Sequence, residues 1–345
     1  MKKSTQNKSV HIIYIEIIRI IACFMVIINH VNGLILTNNN FSNSTFYCIG
    51  FSLCKIGVPL FLMITGSLIL EKKYDYKKAF KCIFKVLIPV IGISLFLSIK
   101  NNGFNNFNIF YFFRDLVKEP YLVPYWYIYA LVGIYLAIPF LQKMIKNFKN
   151  KDYLIFILIF LFIPSFINSL STYLNININN NFKLAFFPII IAIVVCGNFI
   201  SKIKLDKKYF ILSIFSFLIS YILMFISMYI PYLNTKEISF TLDSWNSFPV
   251  LIMSISVYYI IRYLFENKKI NNKIKNIVCK IGSCTFGIYL IHTLCYDRIY
   301  NFGFMQYLFN LNSILAIIIL DLLVFVICMI IIYILKKIPI IKKYL

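Results

Sequence analysis

Long apolar runs separated by short polar stretches set the pattern of this chain. Reading runs of about 17 to 25 residues as membrane-crossing helices gives ten spans, at 12–36, 46–70, 79–99, 121–141, 153–173, 184–200, 209–231, 248–265, 282–300 and 312–335. The sixth is short, and the ninth carries several polar residues. No run has the strict alternation of a half-buried strand. The predicted fold is all-α, a polytopic membrane helix bundle of about ten transmembrane helices.

Composition agrees with this reading. Of 345 residues, 61% are hydrophobic and 14% charged, and the mean hydropathy is +0.82, well above a soluble domain of this size. The longest polar loops lie near 100–120, 232–247 and 266–281, too short to build a core of their own. Residues 1–345 therefore read as one transmembrane domain with no separate soluble domain, and the chemistry must lie within the bundle.

A net charge of +23 would suggest a nucleic-acid partner in a soluble protein, but here the charge follows topology. Alternate segments hold most of the Lys and Arg, in Lys2–Lys8, Lys72–Lys85, Lys143–Lys151, Lys202–Lys208, Arg262–Lys280 and Lys336–Lys343. The opposite face holds Lys100, Arg114, Lys118, Lys183, Lys236 and Arg298. This bias places both termini in the cytoplasm and removes the case for nucleic acid. The first run is too long and charged, and lacks a small-residue cleavage site, for a cleaved signal peptide. The nine Cys are scattered without a CxxC pair and read as small apolar fillers. Cys284, His292 and Cys295 match no zinc spacing, so no metal is expected.

The first span, YIEIIRIIACFMVIINHVNG, carries Glu16, Arg19 and His30. Charge at bilayer depth is costly and usually faces a bundle interior or a watery cavity. Arg19 and His30 are eleven residues apart, which on a helix leaves about 20° between their directions and about 16 Å along the axis. They share a face, Arg19 nearer the cytoplasm. Glu16, three residues before Arg19, is placed to pair with it. Separate roles, Arg19 snorkelling and His30 joining a helix contact, explain each residue but not their alignment. An anionic cytoplasmic ligand at Arg19 with proton chemistry at His30 explains both. A thioester on a long arm, such as acetyl-coenzyme A, fits that spacing.

Three further stretches join this one. They are KIGVPLFLMITGSLIL from Lys55 to Leu70, PYWYIYALVGIYLAIPFL from Pro124 to Leu141, and TFGIYLIHTL from Thr285 to Leu294. Together, and in this order over nearly the whole chain, they resemble the acyltransferase 3 family of bacterial integral membrane O-acyltransferases. The resemblance implies a catalytic group of His30, Arg19 and Glu16. It also implies acyl-donor contacts from Lys81, Lys85 and Lys55, and supporting roles for Trp126, His292 and Tyr289. Two positions depart from the family pattern. Where members carry two Arg at the inner mouth of the third helix, this chain has Cys82 and Lys85; and Pro124 stands where relatives often have His. Leu131, where some members have an acidic residue, points to the subgroup acting on surface polysaccharides and enterobacterial common antigen.

The implied function is transfer of an acetyl or similar acyl group from cytoplasmic acyl-CoA to a hydroxyl of a cell-surface or exported glycan. Acyl-CoA is then a donor substrate, with no permanently bound cofactor. The implied partners are a glycan or lipid-linked sugar, the bilayer, and other cell-envelope biosynthesis proteins, in the bacterial cytoplasmic membrane. The alternative is a transporter or flippase exporting a polysaccharide or lipid-linked sugar, whose solute path would also use intramembrane Arg, Lys and His.

Overall fold

A computed structural model describes residues 6–38, 44–72, 74–176, 188–235 and 242–345. Lys2, Lys3, Lys73, Lys183 and Lys236, used above for topology, and the start of the sixth span lie outside these residues. Among the described residues there are helices and no strands.

Among the described residues, nine helical segments are long and apolar enough to cross a membrane. The first is α1 (Gln6–Asn38). The second is broken into α2 (Ser44–Cys54) and α3 (Gly57–Ile69). Next come α4 (Tyr76–Asn102), the short α5 (Ile109–Lys118) and α6 (Trp126–Ile145). The fifth crossing joins α7 (Asn150–Ile157) to α8 (Ile163–Leu174) through a π-helical turn at Leu158–Phe162. After α9 (Ile189–Lys202) follow α10 (Lys207–Thr235), α11 (Phe248–Phe265), α12 (Asn272–Tyr300), α13 (Gly303–Leu311), α14 (Ser313–Leu335) and the short α15 (Pro339–Lys342).

Three features differ from the sequence expectation. In place of the sixth span stands α9, with only 14 residues, or about 21 Å at the α-helical rise, short of the ~30 Å hydrocarbon core. It is packed inside the bundle, with Ala192 to Ile200 all buried. The second span is interrupted at Lys55 and Ile56, which form a turn. The region near 100–120, read as a loop, contains α5, with Phe110 and Phe113 exposed.

Small residues and polar ties hold the bundle centre. A Cβ on Gly66 of α3 would strike the Val194 backbone of α9, and one on Gly197 of α9 would strike Met63 of α3. The two backbones touch because both helices are notched there. Arg262 of α11 is buried and reaches the open end of α9. It donates to the carbonyls of Ile203, at 2.9 Å, and Ile200, and pairs with Glu266 at 2.5 Å. A cation on the last carbonyls of a helix is favourable, and here it satisfies the Ile200 and Ile203 carbonyls where α9 stops. Outward positions are apolar, as on α10, where Leu212, Phe215, Ile219 and Leu223 are exposed. Such a surface suits lipid. The chain is thus an all-α polytopic membrane bundle.

For the site, the decisive packing is α1 against α12, α3 and α14, with α12 also against α14. α1 and α12 meet at both ends, Glu16 lying on Gly282 and His30 on His292.

Candidate active site

Two chambers flank the junction of α1, α3, α6 and α12. The one on the basic side of the bundle has a volume of about 530 Å³ and is lined by Arg19, Lys85, Tyr127, Tyr135, Lys336 and Lys342 among others. The chamber toward the opposite face has about 280 Å³, and its polar lining is Asn29, His30, Lys55, Asp243 and Ser244. Tyr289 lines both.

The inner chamber is built by α1 and α12. Glu16 accepts from Arg19 Nη1 at 2.6 Å, the i, i+3 pairing that helix geometry allows. Gly282 makes room for it, since a Cβ there would collide with the Glu16 carboxylate. The pair lowers the desolvation cost of each partner and leaves the rest of the Arg19 guanidinium facing the chamber. Lys85 comes from α4; Lys81, one turn earlier, is exposed and is absent from the chamber wall.

Between the chambers stands a cluster of three rings. Tyr127 and Tyr289 lie 5.6 Å apart, Phe61 and Tyr127 6.1 Å, and Phe61 and Tyr289 6.5 Å. Two tyrosines lace α12 to the start of α6. Tyr125 Oη donates to the Leu290 carbonyl at 2.9 Å, and Tyr289 Oη donates to the Pro124 carbonyl. Pro124, where the family often has His, thus acts here through its backbone.

In the outer chamber, the rings of His30 and His292 are 5.2 Å apart at 48°. His292 is buried, with Nδ1 2.7 Å from the Tyr289 carbonyl. A carbonyl only accepts, so Nδ1 carries the proton of the neutral ring and Nε2 is left as an acceptor. Nε2 has no hydrogen-bond partner among the described residues. His30 faces the chamber in front of it, so α12 supplies the rear wall of the His30 site.

Lys55 sits in this outer chamber, apart from Lys85 and the other inner cations. The turn between α2 and α3 swings it there. Its ammonium lies 3.4 Å from Asp243 and 3.9 Å above the Phe51 ring. Trp126 stacks on Trp245 at 5.5 Å and 29°, forming an indole wall. Asp243 and Trp245 were missed by sequence reasoning. They lie in the segment before α11, and nothing in their spacing ties them to Lys55 or Trp126. Among the described residues no cluster of His, Cys, Asp and Glu is suited to a metal.

The fold and these chambers define a multi-pass membrane protein with a basic mouth on one side and a histidine site on the other. Residues 12–333 match the acyltransferase domain model of the acyltransferase 3 family, and the chain belongs to that family of membrane acyltransferases. Comparison with curated proteins and with solved structures finds no match.

Proposed function

We propose that the chain transfers an acetyl or similar small acyl group from cytoplasmic acyl-CoA to a hydroxyl of a cell-surface or exported glycan, in the bacterial plasma membrane. The observation that carries this reading is that Tyr289 lines both the cationic inner chamber and the His30 chamber. On this reading acyl donor and acceptor occupy separate compartments with one shared wall.

The donor's anionic end lies among the inner cations and its thioester reaches past the Phe61, Tyr127 and Tyr289 rings toward His30. The acceptor enters the outer chamber, where the Trp126–Trp245 wall gives the sugar ring a flat apolar face. His30 takes the proton of the acceptor hydroxyl as its oxygen attacks the thioester carbonyl. The carbon–sulfur bond then breaks, and the proton passes to the departing thiolate. Lys55 stands in the same chamber as His30 and stabilises the oxyanion of the tetrahedral intermediate. His292, behind His30, holds its ring in place.

The test is transfer of labelled acetyl from acetyl-coenzyme A to the glycan fraction of membranes containing the protein. Label above that of membranes lacking it supports the reading. With folded protein and native acceptor present, an absence of label would contradict it and favour export.

A further inference from the structure

α14 ends at Leu335, and the chain then turns so that α15 runs beneath the inner mouth. Lys336 and Lys342 are brought to the same chamber wall as Arg19 and Lys85. Lys336 is held in place, its Nζ donating to the Ser283 carbonyl at 2.8 Å and lying 3.2 Å from Ser283 Oγ. Burial holds the Lys336 ammonium below the ordinary lysine range, and the charges of Lys85 and Lys342 push it the same way.

Among the described residues, no carboxylate lies within ion-pair distance of Lys85, Lys336 or Lys342. Glu16, beside this wall, is committed to Arg19. Lys85 and Lys342 are exposed and Lys336 is half-buried. These three converge on one concave surface at a mutual electrostatic cost that a polyanion relieves. α4 contributes one cation, Lys85, to the wall, so half of its four cations come from the segment after α14.

We propose that Lys336 and Lys342 bind the phosphate groups of the acyl donor, making the segment after α14 part of the donor site and selecting a phosphate-bearing thioester over a bare one. This rests on the acyl-CoA reading above. Lys336, tethered to Ser283, is the fixed contact, and Lys342, on α15, is the second. Binding draws a proton onto any Lys336 that is neutral, so donor affinity falls as pH rises into the lysine range.

The experiment is binding of coenzyme A and of pantetheine, which lacks the phosphates, to the full chain in phosphatidylcholine nanodiscs. Lys336→Ala and Lys342→Ala are each expected to weaken coenzyme A binding by about tenfold, the loss of one charge-assisted contact, and to leave pantetheine binding unchanged. Lys336→Arg is expected to retain most of the affinity, and thermal melting of each variant controls for folding. Coenzyme A binding equal in wild type and both Ala variants would overturn this assignment and leave the acyl-CoA reading standing. Absence of coenzyme A binding by the wild type would overturn both. Displacement of coenzyme A by phosphatidylglycerol in the discs would give the lysines to lipid headgroups and overturn it as well.

Discussion

His30 of α1 and His292 of α12 lie ring to ring, 5.2 Å apart, although 261 residues of chain separate them. His292 is fixed from behind by the Tyr289 carbonyl, and Tyr289 is itself tied to Pro124. Position is thus passed from the start of α6 through α12 to His30. His292→Ala removes the rear wall and is expected to lower kcat by about a hundredfold, within the range of a positioned acid–base group, with little change in donor KM. His292→Gln fills more of the space and is expected to recover part of kcat. Paired kcat and KM measurements check this, with melting temperature as the control for folding.

Gly282 lets the Glu16–Arg19 pair lie against α12. Gly282→Ala drives a methyl group into the Glu16 carboxylate, and overpacking of this kind costs about 1–3 kcal/mol. The expected result is a lower melting temperature together with a raised donor KM, because Arg19 moves with Glu16. Gly133, whose Cβ position meets open space, is the matched control, and Gly133→Ala is expected to change neither.

The Lys55–Asp243 pair, at 3.4 Å, joins the turn between α2 and α3 to the segment before α11. Partly exposed pairs contribute about 0–1 kcal/mol to stability, so Lys55→Met and Asp243→Asn are expected to melt near the wild type. Transfer is expected to suffer more, Asp243→Asn raising acceptor KM and Lys55→Met lowering kcat as well. A double-mutant cycle on acceptor kcat/KM checks the coupling, which is expected to be non-additive.

At the inner end of the bundle, Glu71 accepts from Lys202 at 2.6 Å and from Asn198 at 2.8 Å. Burial alone would raise its pKa, but these hydrogen bonds and the Lys202 charge outweigh burial and hold it below the ordinary glutamate value. A depressed folded-state pKa contributes stability above the unfolded value, near 4.3, and loses it as pH falls through the folded one. Melting temperature is therefore expected to drop below about pH 4.3, with a smaller acid-linked drop in Glu71→Gln.

The helical bundle was legible because apolar run length and the distribution of Lys and Arg are one-dimensional signals. The pairing of Glu16 with Arg19 was legible for a related reason, since both lie on one helix whose period brings residues three apart together. The placement of Lys55 was not. A two-residue turn within an otherwise apolar run reorients it; Gly57 and Pro59 mark the break in the sequence, but the direction in which Lys55 is turned depends on the neighbouring helices. Asp243, Trp245, Lys336 and Lys342 were hidden differently. Each reaches its chamber through the path of a connecting segment, and read along the chain the two lysines cannot be told from orientation charges. α9 looked weak as a span because it is short, and the device that completes it, Arg262 on its terminal carbonyls, comes from a helix some sixty residues later.

The most direct test of a donor chamber inside and a histidine chamber outside is acyl transfer across a sealed membrane. Inverted vesicles expose the cytoplasmic face, and labelled acetyl-coenzyme A added to them does not cross lipid unaided. The expected result is label on glycan enclosed within the vesicles for wild type, and loss of that label for His30→Ala at matched expression. Equal label with both proteins, or label on the enclosed glycan only after the vesicles are permeabilised, would contradict it.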